Sequence, residues 1–216
     1  MTDRLLTLIN EKYPITEIDC GEFANMSVKG MKFSIRAYKA EGLGHVSIMR
    51  GSAMMGLMKM DTLIINPTEL DLPLYSYDRI FALGNDTLIV ELYDTLVGKY
   101  SEDEMLTVKG TPEYTAIPER DPGEHWYDYI KLQSSISKKG KKKHLKLMNE
   151  LTEKHFAAYF AGGNTPVADG EAKRDKAGIY VNGLIEKGGP STDVFKGAIG
   201  EAKTRKLFES VLFGTK

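Results

Sequence analysis

The sequence predicts an α+β fold in which an antiparallel sheet is followed by helices. Three observations carry this. Segments between residues 31 and 95 place apolar residues at every second position. Segments between 142 and 212 place them at helical spacing. The two patterns do not interleave as βαβ units would. Composition does not shift along the 216 residues, so one domain spanning 1–216 is expected.

The elements follow in order. "MTDRLLTLINEKY" carries Asp3, Arg4, Glu11 and Lys12 and reads as a short amphipathic helix, not a signal peptide. "MKFSIRAYK" (31–39) alternates, with Phe33, Ile35 and Ala37 on one side, as a half-buried strand does. "HVSIMRG" (45–51) and "GLMKMDTLIINP" (56–67) are two further strands. "DRIFAL" and "TLIVELYD" flank "GND" (84–86), where glycine and asparagine suit the positive φ of a tight hairpin. Five or six antiparallel strands are expected between about 15 and 95.

Residues 98–122 are polar and contain Pro112, Pro118 and Pro122, which predicts a mobile or functional loop. Helices are expected at 123–133, 142–160 and 170–187, the last stopped by Gly188-Gly189-Pro190. Ser191 is the expected N-cap of the next helix. A closing helix carries Leu207, Phe208, Val211 and Leu212 on one face.

Several chemistries are excluded or unsupported. A net charge of −1 gives no global field for nucleic acid or membrane. No segment approaches the roughly 18 apolar residues of a membrane span. One cysteine, Cys20, allows no intrachain disulfide, makes a thiolate metal cage implausible and suits a reducing cytoplasm. The four histidines are scattered, so no metal site is expected. Phosphate loops, nucleophile elbows and dinucleotide-binding glycine patterns are missing.

Two clusters remain. Seven methionines fall between residues 26 and 60. They read as adaptable core filler, or as a deformable apolar wall for a large flat ligand. Met58 and Met60 share one side of their strand, Lys59 and Asp61 the other. "KKGKKK" (138–143) reads as a solvated loop before a helix, or as a dock for an acidic partner.

Two stretches together resemble a known family. They are "NPTELDLPLYSYDRIFALGNDTLIVELYDT" (66–95) and "GGPSTDVFKGAIGEAKTRKLFESVLFG" (188–214). Both are similar to the ferredoxin-dependent bilin reductases and their relative, red chlorophyll catabolite reductase. Pro67, Asp71, Pro73 and Asp78 match the family's strand end, Asp-apolar-Pro turn and following aspartate, and Tyr93-Asp94 matches its next strand end. Trp126 with "LQSSISKKG", Gly200 and "VLFG" extend the likeness, which covers about 60–214 in outline.

The resemblance implies an α/β/α sandwich with a central antiparallel sheet. It implies an open-chain tetrapyrrole bound between the sheet and the C-terminal helices, no bound flavin or metal, reduced ferredoxin as electron donor, and protons supplied by carboxylates. On this chain Asp78, at a strand start, is the expected proton donor and Asp61 the second acid, with Glu91 a further carboxylate of the site. Met58 and Met60 would wall the substrate. Arg50 and Arg79 would hold its propionates, ordinary surface ion pairs being the alternative. Lys138, Lys139, Lys141, Lys142 and Lys143 would dock ferredoxin.

The chain departs from the family twice. Asp61 or Thr62 stands where a histidine or asparagine is common, and Gly189 where many members have an aspartate. Asp193, one turn on, is the possible substitute. Two other readings therefore stand beside the reductase: a non-catalytic binder of tetrapyrroles or other apolar ligands on the same fold, and an α+β protein-interaction module.

Overall fold

The computed structural model describes residues 1–216, the side chain of Pro190 excepted. Eight strands form one antiparallel sheet. β1 (Ile15–Ile18) and β2 (Asn25–Val28) share the outer edge of β3 (Met31–Ala40). β4 (Gly44–Ala53), β5 (Met58–Pro67), β6 (Leu74–Ala82), β7 (Asn85–Tyr93) and β8 (Ile136–Lys141) then follow in chain order.

Helices cover both faces because both faces are apolar. In β5, Leu63 and Ile65 enter one core and Ile64 the other, as the two-residue period of a strand requires. The first face is covered by α1 (Thr2–Lys12), α2 (Asp103–Val108), α3 (Pro112–Thr115) and α4 (Leu145–Ala161), which contribute Leu5, Met105, Tyr114 and Leu151 to its core. The second is covered by α5 (Gly170–Lys187), α6 (Pro190–Ile199), α7 (Glu201–Lys206) and a π-helical turn over Leu207–Leu212, which contribute Val181, Phe195 and Phe208. This is an α/β/α sandwich. No helix among the described residues is long and apolar enough to cross a membrane.

Where the structure departs from the sequence reading, tertiary packing is the reason. Seven strands, not five or six, lie between residues 15 and 93. The two extra, β1 and β2, are four-residue edge strands too short to show a period. Residues 98–122 hold α2 and α3, which pack on α4 and bury Met105 and Val108. Residues 123–133 do not form the expected helix; one short 3-10 turn, Asp128–Ile130, is all that is helical there. The aromatic side chains of that segment are held by the sheet and by α5 instead. Helix α6 starts at Pro190 with Gly189 as N-cap, so Ser191 is already inside it; proline's fixed φ suits the first helical position.

Most of "KKGKKK" is strand β8, not a loop. Lys138 therefore alternates inward with Ile136 and is buried. Its Nζ donates to Glu119 Oε1 at 2.8 Å and lies 3.3 Å from the centre of the Tyr114 ring. It cannot meet a docking partner. Lys139, Lys141, Lys142 and Lys143 remain exposed.

A buried ion pair fixes α5 relative to the β5–β6 turn. Lys173 Nζ donates to Asp71 Oδ1 at 3.1 Å, and both side chains are buried. Asp71 also accepts from the backbone N–H groups of Val97 and Gly98.

Candidate active site

A cleft lies between the second face of the sheet and the helices above it. Its floor comes from alternate residues of adjacent strands: Met49 of β4, Met60, Thr62 and Ile64 of β5, Ser76, Asp78 and Ile80 of β6, and Ile89, Glu91 and Tyr93 of β7. Tyr180 and Leu184 of α5, Gly189 at the N-cap of α6, Thr192 of α6, and Phe208, Leu212 and Phe213 form the roof. Arg120, Pro122, His125 and Tyr127, from the α3–β8 connection, line it as well.

Asp78 stands in the middle of β6, not at its start. Its register partners are Thr62 on β5 and Ile89 on β7. The Thr62 hydroxyl donates to Asp78 Oδ1, and no cation pairs with the carboxylate among the described residues. Burial pushes its pKa up from 3.8 to about 6, and the Glu91 charge adds to the rise, against the Thr62 hydrogen bond. A carboxyl of that pKa holds or releases a proton near neutrality, which is what a general acid needs.

Glu91 faces Ser76 across the β6–β7 ladder. It accepts from Tyr93 Oη at 2.6 Å, and Lys131 Nζ lies 3.8 Å from its other oxygen. Tyr93, Tyr127 and Tyr180 form an aromatic wall beside it. Tyr93 stacks on Tyr180 with ring centres 4.2 Å apart, and Tyr127 meets both edge-on. Burial pushes all three phenols above their ordinary range, so they act as neutral donors.

The roof is locked at the C-terminus. The π-helical turn leaves carbonyls free, and three buried polar side chains meet consecutive ones. His45 Nε2 binds the Val211 carbonyl, Ser47 donates to Leu212 and Asn66 to Phe213, at 2.7–2.8 Å. These bonds hold Leu212 and Phe213 over the floor.

The structure gathers some of the expected site residues and separates the rest. Asp78, Glu91 and Met60 line the cleft. Met58 lies two residues further along the same strand face, beyond the lining. Asp61, Arg50 and Arg79 are on the opposite face, because odd and even positions of β5 and β6 point apart. Arg50 pairs there with Asp3 of α1, and Arg79 makes a buried two-pronged pair with Asp86. Thr62, not Asp61, therefore occupies the site position. Asp193 is exposed beside Gly188 and outside the lining, so it does not replace the missing aspartate.

Sequence reasoning missed Arg120, His125 and the three tyrosines. The only signal was that a long proline-bearing polar stretch is often functional. His125 stacks on Tyr127, and its buried Nδ1 has no hydrogen-bond partner, Asp128 standing 3.8 Å away. Trp126 fills the space over Gly183 of α5, and its Nε1–H donates to the Gly188 carbonyl at 2.9 Å.

No protein-family model and no curated protein sequence matches the chain. Solved structures do. The crystal structure of phytochromobilin synthase from tomato, in complex with biliverdin, matches with a TM-score of 0.77 at 11% identity, over 99% of this chain and 82% of that one. The chain has the bilin reductase fold. At 11% identity the likeness fixes the architecture, and the chemistry rests on the residues in the cleft.

Proposed function

We propose that the protein binds a linear tetrapyrrole in this cleft and reduces it with single electrons from ferredoxin, Asp78 supplying a proton. The observation that carries the proposal is Asp78, an unpaired carboxyl with pKa raised to about 6, set among apolar and aromatic side chains. That the tomato synthase of the same fold was crystallised with biliverdin supports the ligand class.

A two-electron reduction of a tetrapyrrole double bond consumes two protons. Asp78 gives one to the substrate after an electron arrives, and Glu91, the other carboxylate of the lining, is the candidate for the second. Arg120 and His125, both in the lining, would hold propionates.

The cleft encloses about 180 Å³, against roughly 300–1,000 Å³ for pockets that hold drug-sized ligands. A tetrapyrrole would therefore need the cleft wider than it stands. The second reading, a binder that does not reduce its ligand, is favoured by Gly189 in the lining and by Asp193 turned to solvent.

One experiment tests both. Biliverdin is mixed with the protein, reduced ferredoxin is added without oxygen, and the visible spectrum is followed. A shift on mixing and a further change on reduction support the reductase. A shift without further change leaves the binder, and no shift removes both for that ligand. Asp78→Asn should retain the first shift and slow the second change.

A further inference from the structure

We infer that one end of the sheet is a docking surface for an anionic lipid bilayer. The register brings four chain segments to that end: the β2–β3 turn, the β4–β5 and β6–β7 hairpin tips, and the end of β8. Two of these expose large apolar side chains. On the β4–β5 tip Met54, Met55 and Leu57 are 57%, 103% and 58% exposed, and Leu83 on the β6–β7 tip is 74% exposed. The tips are two strand spacings apart, about 10 Å. Met54, Met55 and Leu83 hold positive φ without being glycine, a conformation that L residues adopt only at a cost. The chain thus spends strain to present methionine and leucine where asparagine or glycine would sit at ease.

The charge around the tips has one sign. Residues 29–32, 52–60, 82–86 and 139–143 contain seven lysines: Lys29, Lys32, Lys59, Lys139, Lys141, Lys142 and Lys143. All seven are exposed. The one acid in those segments, Asp86, is buried against Arg79. A protein of net charge −1 therefore concentrates positive charge beside its most exposed apolar residues. Basic residues are drawn to an anionic leaflet within about a Debye length, and apolar side chains then add affinity by entering the headgroup region. The tips are convex. A bilayer yields to narrow apolar protrusions, whereas a stable protein interface needs a broad complementary area. Lipid, not an acidic protein, is thus the occupant inferred. Met60, on the strand that leaves the β4–β5 tip, lines the cleft.

The full chain is sedimented with vesicles of phosphatidylcholine alone and with vesicles of phosphatidylcholine and phosphatidylserine. Binding to the mixed vesicles only, weakened by added salt, is expected. Met55→Asp with Leu83→Asn should weaken it by roughly tenfold, the loss of 1.4 kcal/mol. Both substitutions suit positive φ, and a melting temperature at or above the parent's confirms the fold. Lys141→Glu with Lys142→Glu should weaken it comparably. No binding to the mixed vesicles overturns the inference. Binding that the lysine changes abolish but the tip changes leave intact also overturns it, because charge adsorption alone then suffices. Retention of acidic ferredoxin by these lysines, with the vesicles left free, assigns the surface to protein and overturns it too.

Discussion

Asp78 and Arg79 are consecutive in the chain and stand on opposite faces of the sheet, Arg79 buried and Asp78 half-buried in the cleft floor. Arg79 is neutralised by Asp86 through two hydrogen bonds. Asp78, on the cleft side, has the Thr62 hydroxyl and no cation. The alternation of a strand keeps the nearest positive charge away from the carboxyl, and that separation is what lets burial raise its pKa.

The raised pKa makes Asp78 a pH-dependent cost to folding. The folded value, about 6, exceeds 3.8. Between these values the folded state binds more protons than the unfolded chain, so stability falls as pH rises through this window and is flat above it. The full difference is about 3 kcal/mol. Asp78→Asn, whose amide oxygen still accepts from Thr62, should stabilise the protein by about that much above pH 6 and by nothing below pH 4. Denaturant melts of both proteins across this range check it; a gap that is constant with pH would show that Asp78 does not carry the raised pKa.

Arg79 is structural on this geometry. Arg79→Met leaves Asp86 charged, buried and alone, at a cost of about 3–5 kcal/mol. Arg79→Met with Asp86→Leu should recover most of that loss. Because the pair lies away from the cleft, the folded double variant should bind biliverdin with the spectrum and affinity of the parent. Chemical denaturation and a visible titration check the two halves. Weakened binding in the double variant would return Arg79 to the site.

Arg120 should do what Arg50 and Arg79 cannot. It lies in the cleft lining, its guanidinium tethered by one 3.3 Å bond to Ser137 Oγ. A charged hydrogen bond to a propionate is worth about 1.5–3 kcal/mol, so Arg120→Met should weaken biliverdin binding by about tenfold or more. Biliverdin dimethyl ester, which lacks the charges, should bind parent and variant equally. Parallel titrations check this, and an equal loss for the ester would point to packing rather than charge.

The strands β3 and β7 were legible from their alternation and the β6–β7 hairpin from its turn residues, although the positive φ falls on Leu83 and Gly84 and not on Asn85, which begins β7. Asp78 entered through the family resemblance, and Glu91 only as a further carboxylate offered beside Asp61, which lies on the other face. What was not legible depends on contacts distant in sequence. Lys138 looks like its neighbours until the β7–β8 pairing turns it inward toward Glu119 and Tyr114. Arg120 and His125 carry no local pattern, since a chain segment without regular structure brings them to the cleft. Asp61 and Thr62 differ by one position, and only register decides which faces the ligand.

Trp126, the single tryptophan, sits where the cleft wall meets α5. It packs beside Tyr127 and Tyr180, both in the lining, and occupies the room that Gly183 leaves. A Cβ at residue 183 would fall 2.2 Å from its ring. Gly183→Ala should therefore displace the indole, break the bond to the Gly188 carbonyl and destabilise the protein by about 1–3 kcal/mol, the usual cost of overpacking. Its fluorescence should shift to longer wavelength as the ring meets water. In the parent, a tetrapyrrole entering the cleft would lie within one aromatic ring of the indole and should quench its emission in step with the visible titration. Fluorescence measured during that titration checks both statements: quenching without a matching visible change would place the ligand elsewhere, and an unshifted spectrum in Gly183→Ala would show that α5 yields instead of the tryptophan.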